Sequence, residues 1–119
     1  MATLGHHIGG ERVASAADRH GPVYNPATGE ITKQVSFAAQ DEVDRAVAVA
    51  REASVDWSRT TPIRRARVMF RYLELLEKHK SDLAALITEE HGKVLSDADG
   101  EVMRGMEVVE YATGIPHVM

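Results

Sequence analysis

Two hydrophobic rhythms divide the chain. Up to about residue 37 the apolar positions follow no helical spacing, and the segment reads as extended chain with turns. Ile8-Gly9-Gly10-Glu11-Arg12-Val13 sets a Gly-Gly pair between apolar residues, a hairpin pattern. Pro22-Val23-Tyr24-Asn25-Pro26-Ala27-Thr28-Gly29-Glu30 concentrates turn chemistry. Asn25 can close a local side-chain turn, Pro26 fixes φ, and Gly29 can take positive φ. Ile31, Lys33 and Val35 alternate with Thr32, Gln34 and Ser36, which predicts a short strand whose apolar face Lys33 interrupts.

From about Ala39 the period becomes helical. Val43, Ala46, Val47, Ala50, Ala53 and Trp57 form one apolar stripe, with Asp41, Glu42 and Asp44 in the first turn, where the helix dipole favours negative charge. An alanine at 38 or 39, where Ser or Thr caps better, costs about 1 kcal/mol. Thr61-Pro62 starts a second helix with Ile63, Ala66, Met69, Phe70, Leu73 and Leu76 as its expected buried face. Ser81 is the expected cap of a third, carrying Leu83, Leu86 and Ile87 and stopped by Gly92. Ser96 is the expected cap of a fourth, ended by Gly114 and Pro116. On that last helix Val102, Met106, Val109 and Thr113 share one side, while Gly100, Arg104 and Tyr111, with Val108 beside them, share the other. A helix apolar on both sides packs between partners. The chain runs out at His117-Val118-Met119 directly after it, and the rest of the domain is expected to lie beyond.

Composition narrows the function classes. The 119 residues suffice for one domain or part of one, and 44% hydrophobic with 27% charged residues is ordinary for a folded protein. A net charge of −4 argues against a nucleic-acid partner. With no cysteine, the chain has no disulfide, no thiolate metal site and no cysteine nucleophile of its own. Met1 to Gly10 resembles neither a secretory signal nor a transit peptide, and no run approaches the roughly 18 apolar residues of a membrane span. The expectation is a soluble cytoplasmic protein without a membrane partner.

Few motifs carry chemistry. Gly92-Lys93 ends like a phosphate-binding loop, but position 87 is Ile where that loop needs Gly, and there is no G-x-G-x-x-G. None of the six histidines pairs at i, i+4, and His91 after Glu89-Glu90 reads as a solvated helix end, so no metal residue is assigned. Arg64, Arg65, Arg67 and Arg71 are followed at helical spacing by Glu74 and Glu77 and read as a solvated, ion-paired face. Arg104 is the most informative position. It can pair with Glu101 or Glu107, each three residues away, or its guanidinium can grip a small carboxylate through two parallel hydrogen bonds. Gly100, one turn earlier on the same stripe, leaves room for a ligand or another chain segment.

The sequence also resembles a known family. Tyr24-Asn25-Pro26-Ala27-Thr28-Gly29-Glu30 is similar to the Asn-Pro-x-Thr-Gly element near the start of aldehyde dehydrogenases. Asp44 through Trp57 resembles their first helix, and Pro62, Arg64 to Arg67 and the Leu73/Leu76 stripe their second. Ile87-Thr88-Glu89-Glu90-His91-Gly92-Lys93 resembles their Glu-x-Gly-Lys helix end. Gly100 to Tyr111, continuing to Gly114-Ile115-Pro116-His117, resembles the CoA-acylating methylmalonate-semialdehyde branch.

The resemblance implies an α/β fold: the N-terminal portion of an NAD-binding domain, incomplete over 1–119, β-rich over 1–37 and helical over 38–119. It implies an enzyme of valine catabolism that oxidises methylmalonate or malonate semialdehyde, with NAD and CoA, to propionyl-CoA or acetyl-CoA. The parent would be a homo-dimer or homo-tetramer. Arg104 matches an arginine expected to hold the substrate carboxylate. The nucleophilic cysteine, the oxyanion-stabilising asparagine and the cofactor residues would lie beyond Met119, so this chain carries no catalytic or cofactor-binding residue and is expected to be inactive alone. Two other readings remain: part of a general aldehyde dehydrogenase, and a stand-alone helical interaction module without catalysis.

Overall fold

A computed structural model of the chain describes all residues, 1–119. Five short strands precede four helices: β1 (Ala2–Leu4), β2 (His6–Ile8), β3 (Glu11–Val13), β4 (His20–Tyr24), β5 (Ile31–Ser36), α1 (Gln40–Arg59), α2 (Pro62–Lys78), α3 (Lys80–His91) and α4 (Leu95–Thr113). A 3-10 turn, Ile115–His117, follows. The mixed α/β order is the one expected. Packing separates two compact units, Met1–Arg59 and Thr60–Met119, so α1 belongs with the strands although the change of secondary structure comes earlier.

In the first unit β2 and β3 pair antiparallel as the Gly-Gly pattern predicts, with Ile8 opposite Glu11. Gly9 and Gly10 both take positive φ, 65° and 84°, the conformation a two-residue hairpin turn needs. β4 and β5 pair antiparallel and β1 joins β5 in parallel, giving the order β1-β5-β4. The 25–30 turn forms as read: Asn25 Oδ1 accepts from the Ala27 N–H at 2.9 Å, and Gly29 has φ 75°. β1 and β4 were not legible as strands, because three residues cannot show an alternation and Pro22 interrupts the other. β5 departs from its expected face. Ile31 is exposed and Ser36 is the buried residue, since each of these narrow strands covers only part of its neighbour.

Helix α1 corrects the predicted stripe. Val43, Val47, Ala50, Ala53 and Trp57 are exposed, and the half-buried face is instead Glu42, Ala46 and Val49. That face meets the strand segment. A side chain on Gly9 would reach Val49 at 3.4 Å, and Glu42 bonds to residues 15 and 16.

In the second unit α4 packs against both α2 and α3. Ala84, Ala98 and Val102 form the buried core, with Leu83, Ile87 and Met106 against it. Alanines at the contacts let helix axes approach closely. The buried face of α2 is Ala66 with half-buried Met69, Leu73 and Leu76, while Ile63 and Phe70, expected inside, are exposed. Leu86 is exposed too. No large side chain in the chain is fully buried.

The caps also differ from expectation. The α3 cap is His79 rather than Ser81, and its carbonyl accepts from the Leu83 N–H at 3.0 Å. The α4 cap is Val94 rather than Ser96: its extended backbone presents a carbonyl to the Asp97 and Ala98 N–H groups, both at 3.1 Å. Thr61 does cap α2 by position but contributes no side-chain bond. Gly92 stops α3 in the left-handed region, φ 85°, as predicted.

Candidate functional site

The one sequence-predicted site residue, Arg104, lies in the middle of α4 and is exposed. At about 100° per residue its side is opposite the Ala98, Val102, Val109 and Thr113 side that faces the other helices. Gly100 is one turn before it, and Val108 and Tyr111 are one and two turns after it on the same side. Val108 is 69% exposed and Tyr111 76%. On this second side of α4 Arg104, Val108 and Tyr111 are therefore exposed, while Gly100 is half-buried.

Glu101, a candidate partner of Arg104, is taken by another cation. Lys93 Nζ bridges from the α3–α4 connection to Glu101 Oε1. This hydrogen bond is the main cause that holds the Glu101 carboxyl below its ordinary range. Partial burial opposes it, and the charges of Lys93 and then Arg104 add to it. Arg104 is thus felt by Glu101 without being its partner, and its planar fork of N–H donors is not committed to that carboxylate. The Lys93 contact spans eight residues across a helix break and so escaped a reading based on helical spacing.

Two glycines flank the arginine. A side-chain carbon on Gly100 or Gly105 would meet no atom within 4 Å, and neither glycine has positive φ. Each costs α4 about 1 kcal/mol relative to alanine. Gly105 faces a different environment from Gly100. It lines an open apolar groove of about 420 Å³ between α2, α3 and α4, with Tyr72, Leu86, Ile87, Val102 and Val109 among the walls.

Away from α4, Glu42 does work that the sequence did not reveal. Its carboxylate accepts from the Ala39 N–H at 2.8 Å, the Ser15 hydroxyl at 2.8 Å and the Ala16 N–H at 3.2 Å. It thereby forms the carboxylate half of a capping box where no Ser or Thr is present. The Ala39 and Ser15 bonds hold its carboxyl below the ordinary range, against a smaller opposing effect of burial. His6 Nε2 is 3.8 Å away. The bond from Ala39 was detectable as a glutamate three residues after a cap position; the bonds to residues 15 and 16 were not.

The remaining candidates have structural roles. The Gly92 N–H is spent on the Thr88 carbonyl and Lys93 on Glu101, so this pair does not cradle a phosphate. Lys80 pairs with Asp99 at 2.9 Å and ties the start of α3 to α4. No three His, Cys, Asp or Glu side chains converge as a metal site would require. No helix is long and apolar enough to cross a membrane.

Residues 13–119 match the aldehyde dehydrogenase family. The chain is 50% identical to malonate-semialdehyde dehydrogenase 3 of Geobacillus kaustophilus (strain HTA426), over 98% of this chain and 24% of the relative. It superposes on the crystal structure of methylmalonate-semialdehyde dehydrogenase from Oceanimonas doudoroffii with a TM-score of 0.94 and 50% identity, again over 98% of this chain and 24% of the other. An NAD complex of a Sinorhizobium meliloti 1021 protein superposes with a TM-score of 0.93 at 43% identity, with the same coverage. The chain therefore spans about a quarter of the length of these relatives, and its strands and four helices match the N-terminal part of the NAD-binding domain. By the match over residues 13–119, the chain belongs to the aldehyde dehydrogenase family.

Proposed function

We propose that this chain is the N-terminal, substrate-gripping part of a semialdehyde dehydrogenase that acts on malonate or methylmalonate semialdehyde. The observation that carries the proposal is Arg104. It stands on the exposed side of α4 with Glu101, one of its two candidate intrachain carboxylates, already held by Lys93, in a chain half identical to malonate-semialdehyde dehydrogenases. The substrates end in a carboxylate, and a guanidinium matches it with two parallel charge-assisted hydrogen bonds. Arg104 then chooses and orients the aldehyde; it makes and breaks no bond.

Residues 1–119 are proposed to be an incomplete NAD-binding domain. NAD is proposed as the oxidant of the longer enzyme on the strength of the NAD-bound neighbour, and CoA as acyl acceptor on the strength of the resemblance. The residues present do not themselves fit a dinucleotide. Helices start at Ala39, Thr61, His79 and Val94, none of them in a glycine-rich turn, and Gly92-Lys93 is spent structurally. The reactive thiol must likewise come from elsewhere, because the chain has no cysteine. A cytoplasmic location, a place in valine catabolism and assembly into dimers or tetramers belong to the same proposal.

The test is a hybrid enzyme in which this chain replaces the matching quarter of the Geobacillus kaustophilus relative. The hybrid is expected to reduce NAD with either semialdehyde. Arg104→Leu is expected to lower kcat/KM for both acids by about 10²- to 10³-fold, with propanal, which has no carboxylate, unaffected. A folded hybrid in which Arg104→Leu leaves the acids unchanged overturns the role of Arg104.

A further inference from the structure

We infer that Gly100 is a specificity-determining residue: its missing side chain leaves the space in which the substrate carboxylate and the substituent on the adjoining carbon lie against α4. The inference rests on the Arg104 reading above and adds what decides between the two acids.

Gly100 lies inside a regular helix, where glycine is disfavoured relative to alanine. It lacks the positive φ that would require glycine, and a side-chain carbon there would meet nothing within 4 Å. Neither backbone geometry nor packing within the chain accounts for it, so the clearance serves something outside the chain.

A ligand fits that space better than a protein segment. Side chains on a helix lean toward its N-terminus, so Arg104 extends over the turn that holds Gly100. An apolar segment pressed there would have to desolvate the guanidinium, whereas a carboxylate satisfies it. Gly105 is equally unobstructed but lines the apolar groove on another side of the helix, beside Val102 and Val109. The two glycines therefore serve different occupants.

The carbon next to the carboxylate carries two hydrogens in malonate semialdehyde and one hydrogen and a methyl in methylmalonate semialdehyde. It is one bond from the group Arg104 holds, so a methyl at position 100 meets the branched acid first. One methyl group in a fitted pocket is worth about 10-fold or more in kcat/KM.

In the hybrid enzyme, Gly100→Ala is expected to lower kcat/KM for methylmalonate semialdehyde about 10-fold relative to malonate semialdehyde. Tm should be equal or higher. Gly105→Ala, the same change in helix propensity on another side, is expected to leave the ratio of the two acids alone. If Gly100→Ala leaves that ratio unchanged while Arg104→Leu still discriminates against both acids, the clearance role falls and the arginine role stands. If Arg104→Leu spares both acids, both fall. Equal shifts from the two glycine variants would mean helix stiffening and overturn the clearance role, as would a fall in Tm for Gly100→Ala, which would place protein in the space.

Discussion

Glu42 supplies the carboxylate half of a capping box and ties residues 15 and 16 to the start of α1, and both jobs depend on its charge. Its folded carboxyl titrates below the ordinary value of 4.5, so its contribution to stability is full above that value and is lost as pH falls through the lower folded value. In the hybrid enzyme, Glu42→Gln should speed hydrogen exchange over residues 13–43 at neutral pH and flatten the acid limb of that protection below about pH 4.5. Unchanged exchange would remove the carboxylate from its capping role. Arg104 is the complementary case. It became a candidate because Gly100 stands one turn before it and because it matches an arginine of the family the sequence resembles, but only the three-dimensional path of Lys93 shows that Glu101 is taken.

At the scale of elements, helix existence and turn chemistry were written locally and were legible. Examples are the Gly9-Gly10 hairpin, the Asn25 turn, Pro62 at the start of α2 and Gly92 at the end of α3. Which side of a helix is buried was not local. Periodicity finds an apolar stripe but does not say which partner covers it, so α1 buries Glu42, Ala46 and Val49 while Val43 and Val47 stay open. Caps at His79 and Val94 escaped because neither residue makes a side-chain capping bond that a sequence could announce. The open stripe of α1 is predicted to be covered in the hybrid enzyme. Val47, 61% exposed in this chain, should then behave as a core residue. Val47→Asp should destabilise the hybrid by about 2–3 kcal/mol in denaturant titration, against the few tenths typical of a true surface position.

For the molecule as a whole, the exposed area is 9135 Å² at 13.1 kDa. Compact monomers of this mass expose about 6,400 Å², and two separate bodies of half the mass about 7,700 Å². The excess of about 1,400 Å² over even the second figure is comparable to a standard protein–protein interface, and it matches a core whose fully buried residues are alanines. Purified alone, the 119-residue chain should retain helix by circular dichroism, bind a hydrophobic dye and melt without a sharp transition. A monomer that melts cooperatively and ignores the dye would favour a self-sufficient module. The most direct measurement is a crystal structure of the hybrid enzyme with malonate, a stable three-carbon acid, in its substrate site. The Arg104 guanidinium should meet one carboxylate through two hydrogen bonds of about 2.7–2.9 Å, above the bare turn at Gly100. A malonate bound elsewhere, with Arg104 paired to a protein carboxylate, would contradict it.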